Sequence, residues 1–448
     1  MSGLSHCFYN LLVWAAQPLL RRKLARRAVA EPGYAVAVPE RFGRYTQMAE
    51  TQSELVWVHA VSLGEARAAG ILLKVLREAL PGVRILLTHG TATGRAEGAK
   101  LLQAGDVQVW QPWDTPAAVA AFLRHFRPRV GLLLETEVWP NLVQQSVRAG
   151  VPLALVNARL SDKSMRSALR WASLMRPTYA ALGAVWAQTK ADAQRLRTLG
   201  ATVQCVTGNL KFDAQPDGQQ VAQGQAWRAA QQRPVCLLAS SREGEEAMWM
   251  QALAALASTP SPQDLAGTQW LIVPRHPQRV DEVEHLLVSA GWTVSRRSSW
   301  GDAGPPVPVD GQVWLGDSLG EMVLYYSLSD VALLGGSFEK LGGQNLIEAA
   351  ACGCPVVMGP HTFNFLEVAE QAAAAGAAQR VPDMLSGVQA ALALVADTTA
   401  QRSMSAAALA FSQTHKGAAR RVAGLVKDLL QEAKVRAQGC APARWPPV

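Results

Sequence analysis

The 448-residue chain is poor in aromatic side chains, 6 % of the total, and in cysteine, of which there are six. The cysteines (Cys7, Cys205, Cys236, Cys352, Cys354 and Cys440) are scattered. Their one close pair, Cys352-Gly353-Cys354, has no distant Cys or His pair to complete a zinc site. A reducing compartment fits this usage. No Asp-x-Asp and no His-x-x-x-His occurs. Glu135 and Glu137, two apart and on one face of an extended segment, therefore have no partner ligands, and no metal is expected. The turn Thr88-His89-Gly90-Thr91-Ala92-Thr93-Gly94 has no Gly-Lys-Ser/Thr ending, so it is not a P-loop. Basic residues are not interleaved with aromatics, which argues against single-stranded nucleic acid as a partner.

Acidic residues are absent before Glu31, although Arg21, Arg22, Lys23, Arg26 and Arg27 crowd one short run. An apolar stretch from Cys7 to Leu20 stands directly upstream. It is about 14 residues, roughly 21 Å as a helix against a hydrocarbon core of about 30 Å, and it contains Asn10, Gln17 and Pro18. A marginal span or an in-plane anchor is expected, with the basic cluster on the cytoplasmic side. Charges that follow the apolar run do not suit a cleaved signal peptide.

What is present in quantity is aliphatic: 49 % of the residues are hydrophobic, and the net charge is +8. The length exceeds the roughly 250–300 residues at which single cores split, so two domains are expected. Short apolar runs at 55–60, 83–88, 130–135, 153–157 and 184–188 alternate with helical patterns, and a second series follows at 234–240, 270–274, 313–316, 331–334 and 356–358. This is the pattern of parallel sheets covered on both faces. The fold class is α/β, with two Rossmann-like, doubly wound domains facing a central cleft. The expected boundaries are an anchor over 1–30, a first domain over 31–213, a linker rich in Gln, Gly, Pro and Asp over 214–233, a second domain over 234–435 and a tail over 436–448.

The chemistry concentrates where those strands end. Val331-Ala332-Leu333-Leu334 runs into Gly335-Gly336-Ser337-Phe338 and then Gly342-Gly343-Gln344-Asn345-Leu346-Ile347-Glu348. Glycine lets the backbone turn and a ligand approach. A helix starting near Gln344 would offer amides to a phosphate, and Glu348 a carboxylate to a ribose diol. An ordinary helix start explains the same letters. Glu65, at the turn after His59-Ala60, could take a proton from an acceptor hydroxyl if burial raises its pKa; it could equally be a first-turn Glu favoured by the helix dipole. Arg159, Lys211, Ser241-Arg242 and Pro274-Arg275 each follow a strand and together suit an anionic substrate. The turn Asp317-Ser318-Leu319-Gly320-Glu321 could recognise a base or phosphate, and Thr91 could shape the acceptor side.

The motifs Val58-His59-Ala60-Val61-Ser62-Leu63-Gly64-Glu65, Glu135-Thr136-Glu137-Val138-Trp139-Pro140-Asn141, Asn157-Ala158-Arg159-Leu160-Ser161, Gly208-Asn209-Leu210-Lys211-Phe212-Asp213, Pro274-Arg275-His276-Pro277 and Gly359-Pro360-His361-Thr362-Phe363-Asn364-Phe365, in this order, resemble the 3-deoxy-D-manno-octulosonic acid (Kdo) transferases of lipopolysaccharide synthesis. The resemblance spans nearly the whole chain. It implies a GT-B glycosyltransferase that moves Kdo from CMP-Kdo to the lipid A precursor lipid IVA, inverting, without metal or cofactor, at the cytoplasmic side of the cell inner membrane. The first domain would bind the acceptor and the second the CMP-sugar. Glu65 would be the proton acceptor, with Glu135 and Lys211 supporting the transition state. Ser241, Arg242, Pro274, Arg275, Leu319, Gly320, Glu321, Gly336, Ser337, Asn345, Leu346, Ile347 and Glu348 would line the donor site, and Arg159 and Thr91 the acceptor side. Two other readings fit the residues less fully. One is a different GT-B enzyme, such as a sialyl- or hexosyltransferase or a nucleotide-sugar epimerase. The other is a non-catalytic module for anionic lipid or nucleic acid.

Overall fold

A computed structural model describes residues 2–51, 55–258 and 267–439. The chain divides into two compact units, one of residues 1–213 with 416–448 and one of residues 214–415.

The first unit is built on seven parallel strands: β1 (Leu55–His59), β2 (Arg84–His89), β3 (Val107–Trp110), β4 (Val130–Leu134), β5 (Leu153–Ala158), β6 (Ala184–Ala187) and β7 (Cys205–Val206). Their order is β3-β2-β1-β4-β5-β6-β7, so the winding reverses between β1 and β4. Both faces of the sheet are covered. Trp57, Phe122, Leu133 and Leu155 belong to one apolar cluster, and Val58, Leu72, Leu132 and Val156 to the other. Strands buried on both sides read as unbroken apolar runs, and that is how the sequence revealed them. The second unit repeats the plan with β8 (Val235–Ser241), β9 (Gln269–Pro274), β10 (Thr293–Arg296), β11 (Gln312–Leu315), β12 (Val331–Leu334), β13 (Val356–Met358) and β14 (Ala378–Arg380), in the order β10-β11-β9-β8-β12-β13-β14. Its winding reverses between β8 and β12.

The observed boundaries differ from those read in the sequence. Residues 214–233 are not a bare linker: helix Gly218–Ala229 packs within the second unit, where Arg228 Nε lies 2.7 Å from Asp330 Oδ2. The helix Ala418–Gly439, expected at the end of the second domain, belongs to the first. Ala419, Val422, Ala423 and Val426 bury into its core, and Asp213 Oδ2 accepts from the Ala419 amide at 2.7 Å. Four strands, β3, β7, β10 and β14, were not read from the sequence. β7 and β10 carry polar or partly exposed residues throughout, β14 does so after the buried Ala378, and β3 is half so. The expected tail over 436–448 lies outside the described residues from 440 onward.

Residues 2–30 form one helix, Ser2–Ala30, with Pro18 inside it. Tyr9 donates to Asp114 Oδ2 at 2.7 Å, and His6 Nε2 lies 2.8 Å from Asn141 Oδ1. These contacts fix the helix to the first unit. Among the described residues no helix is long and apolar enough to cross a membrane.

Candidate active site

At the carboxyl edge of the first sheet, loops after β1, β4, β5 and β7 come together. Ligands of open α/β sheets gather at such edges, at the point where the winding reverses. The β1 loop carries Glu65. Ser62 caps the helix Leu63–Ala79: its Oγ accepts from the Glu65 amide at 3.3 Å. The Glu65 carboxylate accepts in return from the Val61 amide at 2.7 Å and from Ser62 Oγ at 3.0 Å. This is a capping box displaced by one residue. Each carboxylate oxygen still has a second lone pair to offer. Burial pushes the Glu65 pKa up to about 7, opposed by the Val61 amide and reinforced by the negative charges of Glu135 and Glu137. The loop is held from behind, since Thr91 Oγ1 donates to Val61 O at 2.9 Å. Gly94 leaves the room for this: a Cβ there would stand 2.7 Å from Val61 O.

Across the reversal, the β4 loop carries Glu135 in the left-handed region at φ +59. Strain of that kind collects at functional sites. Lys211 Nζ lies 3.3 Å from Glu135 Oε1. Arg159 reaches the same edge through its backbone, which donates to Glu135 O at 3.2 Å. Asn157, also left-handed at φ +52, sits where the pairing of β5 with β6 slips, and its Oδ1 accepts from the Leu210 amide at 3.1 Å, fixing the turn before Lys211. Glu137 accepts from Trp139 Nε1 at 2.8 Å and is raised by burial. Its Oε2 lies 3.9 Å from Nε2 of the buried His59. Burial lowers the His59 pKa to about 3, so this neighbour is a neutral imidazole and the contact is not an ion pair. Sequence reasoning gave His59 no role. A histidine closing a wholly apolar strand was the signal available.

At the matching edge of the second unit the loops after β8 and β12 are tied by Glu245, which the sequence reading passed over. It is fully buried. Its Oε2 accepts from the amides of Gly336 at 2.7 Å and Arg242 at 2.9 Å, and its Oε1 from Phe338 at 3.1 Å. Burial raises its pKa against those three donors. Gly335 is obligatory here, because a Cβ would stand 2.3 Å from Ser240 O. Ser240 is left-handed at φ +55, at a slip in the pairing of β8 with β9. Beside Glu245, Glu246 forms a buried two-bond pair with Arg279 at 2.9 and 3.1 Å and accepts from Ser241 Oγ at 2.7 Å.

Several of the expected donor residues are buried or bonded within the loops. Ser241 and Ser337 are wholly buried, and the Ser337 hydroxyl accepts from the Gly359 amide at 2.8 Å. The Gly336 amide is already committed to Glu245, so Gly336 offers a ligand only its missing side chain. Leu346 and Ile347 pack in the core. The helix expected from Gln344 begins at Ile347 and is five residues long; the Ile347 amide bonds to Asn345 Oδ1 at 3.1 Å instead of continuing the turn backwards. Arg275, Leu319, Gly320 and Glu348 are exposed, and Arg242, Glu321 and Asn345 half-buried. Pro274 is buried, and the Arg275 backbone donates to Ser241 O at 2.9 Å. Burial lowers the His276 pKa, and the charges of Arg242, Arg275 and Arg279 lower it further, which marks this edge as cationic. Glu321 is 3.1 Å from Arg297. Among the described residues no three His, Cys, Asp or Glu side chains group to hold a metal, and the Glu135 and Glu137 carboxylates are engaged by Lys211 and Trp139.

Residues 37–214 match the family model of the 3-deoxy-D-manno-octulosonic-acid transferases. The 3-deoxy-D-manno-octulosonic acid transferase of Bordetella pertussis is 46 % identical over 434 residues, covering 94 % of this chain and 99 % of that one. The enzyme of the same name from Haemophilus influenzae is 32 % identical over 81 % of this chain and 83 % of its own. Among solved structures, the UDP-GlcNAc 2-epimerase of Neisseria meningitidis bound to UDP-GlcNAc aligns with a TM-score of 0.55 over 84 % of this chain and all of its own, at 15 % identity, a likeness of fold alone. With two doubly wound sheets of GT-B type and relatives of this closeness over nearly its full length, the chain belongs to the Kdo transferases, a family of glycosyltransferases.

Proposed function

We propose that the chain transfers Kdo from CMP-Kdo to lipid IVA in lipopolysaccharide synthesis, with inversion at the anomeric carbon and without a metal, at the cytoplasmic face of the cell inner membrane. The observation that carries the reading is the Glu65 carboxylate, raised to about 7 at the winding reversal with Glu135, Glu137 and Lys211 around it. A base of that strength is half ionised near neutral pH, where a general base works best. Glu65 takes the proton of the acceptor 6′-hydroxyl. The oxygen attacks the anomeric carbon of Kdo, the bond from that carbon to the CMP phosphate breaks, and CMP leaves with the electron pair. Lys211 supports the transition state with its positive charge, and Glu135 fixes the ammonium in place. Arg159 and the Thr91 turn support the acceptor side.

Donor binding is the part of the second unit. CMP carries a single phosphodiester, which Arg242 and Arg275 can neutralise without a divalent cation. The Leu319-Gly320-Glu321 turn and Asn345 supply polar contacts to the nucleotide, and the exposed Glu348 accepts from the ribose. Glu245, Ser241 and Ser337 hold those turns in shape. Mass spectrometry of lipid IVA incubated with the full chain and fresh CMP-Kdo in EDTA tests the reading. Added Kdo masses support donor, acceptor and metal independence together. An unmodified acceptor beside a folded, CMP-binding protein would overturn it.

A further inference from the structure

A cavity of about 750 Å³ lies within the first unit, between the amino-terminal helix and the segments 111–114, 138–140 and 164–175. Its volume is in the range of small-molecule sites. The helix contributes Leu12, Val13, Ala16 and Leu20, which repeat at helical spacing along one face. Opposite stand Trp113, Trp139, Ala168, Trp171 and Met175. Leu12, Trp139 and Trp171 are 45 %, 41 % and 50 % exposed, so the trough opens to the surface. Tyr9 and Asp114 are bonded to each other, and the rest of the lining is mostly apolar, with Gln111, Ser164 and Ser167 as its other polar side chains.

Two features say what fits it. At one end Val138-Trp139-Pro140 continues directly from the carboxylate loop, and Trp139 itself bonds to Glu137. At the other end the helix leaves Leu20 and enters the run Arg21, Arg22, Lys23, Arg26 and Arg27, all exposed. An apolar trough that begins beside the acceptor edge and ends in a cluster of cations matches an amphiphile with acyl chains and phosphates on one sugar core. We propose that this trough binds a fatty-acyl chain of the acceptor lipid, so that the enzyme selects its acceptor by acyl length as well as by sugar. The inference rests on the acceptor assigned above.

The test compares two acceptors, lipid IVA and the same disaccharide bisphosphate stripped of its acyl chains, in detergent micelles with the full chain and with Ala168→Trp and Leu12→Asp. Both variants are expected to raise KM for lipid IVA at least tenfold while leaving kcat, and KM for the stripped acceptor, unchanged; the stripped acceptor also certifies that the variants are folded. In the wild type, KM should rise progressively as methylenes are removed from the chain that occupies the trough. Equal effects on both acceptors, or no effect on lipid IVA, would overturn the proposal. So would a loss confined to binding of anionic vesicles, which would make the trough a membrane contact. If the wild type transfers to neither acceptor, the assigned reaction fails instead. The trough is then judged by quenching of Trp113, Trp139 and Trp171 fluorescence with a bromine-labelled fatty acid. Saturable quenching that Leu12→Asp abolishes keeps the site, and its absence removes it.

Discussion

Glu65 and Glu245 occupy equivalent places in the two units. Each stands in the first turn of the helix that follows a central strand, β1 or β8, at the edge where its sheet reverses its winding. Their surroundings differ. Glu245 is wholly buried and satisfied by three backbone amides from two loops, so it is a fastening. Glu65 is half-buried and held by one amide and one hydroxyl, and burial, reinforced by two nearby carboxylates, raises it to about 7. The same residue in the same topological place is structural where backbone donors saturate it and available for proton transfer where they do not. The bare letters of a helix start cannot separate the two cases.

One chemical change made at both positions breaks or sharpens this contrast. Glu65→Gln should lower the rate of transfer by roughly two to four powers of ten while CMP binding persists, measured by single-turnover transfer and by calorimetry. Glu245→Gln should leave the rate at saturating donor nearly intact but cost about 1–3 kcal/mol in urea unfolding, because one oxygen cannot serve three amides as two did. Between these lie two cation variants. Arg279→Met strands the buried Glu246 and should destabilise by about 3–5 kcal/mol in the same unfolding assay. Lys211→Met should slow transfer by about two powers of ten without loss of stability on that scale.

A further effect is on the pH dependence of stability. The folded pKa of Glu65 lies above its ordinary value of 4.5, so its stabilising contribution is complete below 4.5 and lost as pH rises through 7. Asp114, Glu137 and Glu245 are raised too and share that sign. His59 is lowered to about 3 and acts oppositely: its contribution is present above 6.5 and lost as pH falls. The difference between wild type and Glu65→Gln isolates the first of these, and the variant should gain stability relative to wild type between pH 5 and 8.

The two sheets were legible because strands buried on both faces leave unbroken apolar runs, whereas the order of the strands and the points where the winding reverses were not read. The strands missed carry polar residues such as Thr293, Ser295 and Gln379, whose letters do not tell an edge strand from a loop. The helix Ala418–Gly439 was amphipathic in sequence, but nothing in its letters said which core its apolar face would enter; Asp213, more than 200 residues earlier, caps it. Glu65, Glu135 and Lys211 were singled out as candidates from their places after strands. Glu245, Asn157 and His59 were not, because their roles depend on amides and side chains brought from distant loops. Ser337, expected at the donor site, has its hydroxyl bonded inside the loop, which the letters of a glycine turn do not reveal.

The rate of Kdo transfer to lipid IVA as a function of pH, for the wild type and Glu65→Gln, tests the central claim most directly. A wild-type rate that climbs with pH to a plateau about a midpoint near 7, with a variant at least a hundredfold slower and without that rise, is the expected result. A variant that keeps the wild-type midpoint and a rate within tenfold would contradict the assignment of Glu65 as the base.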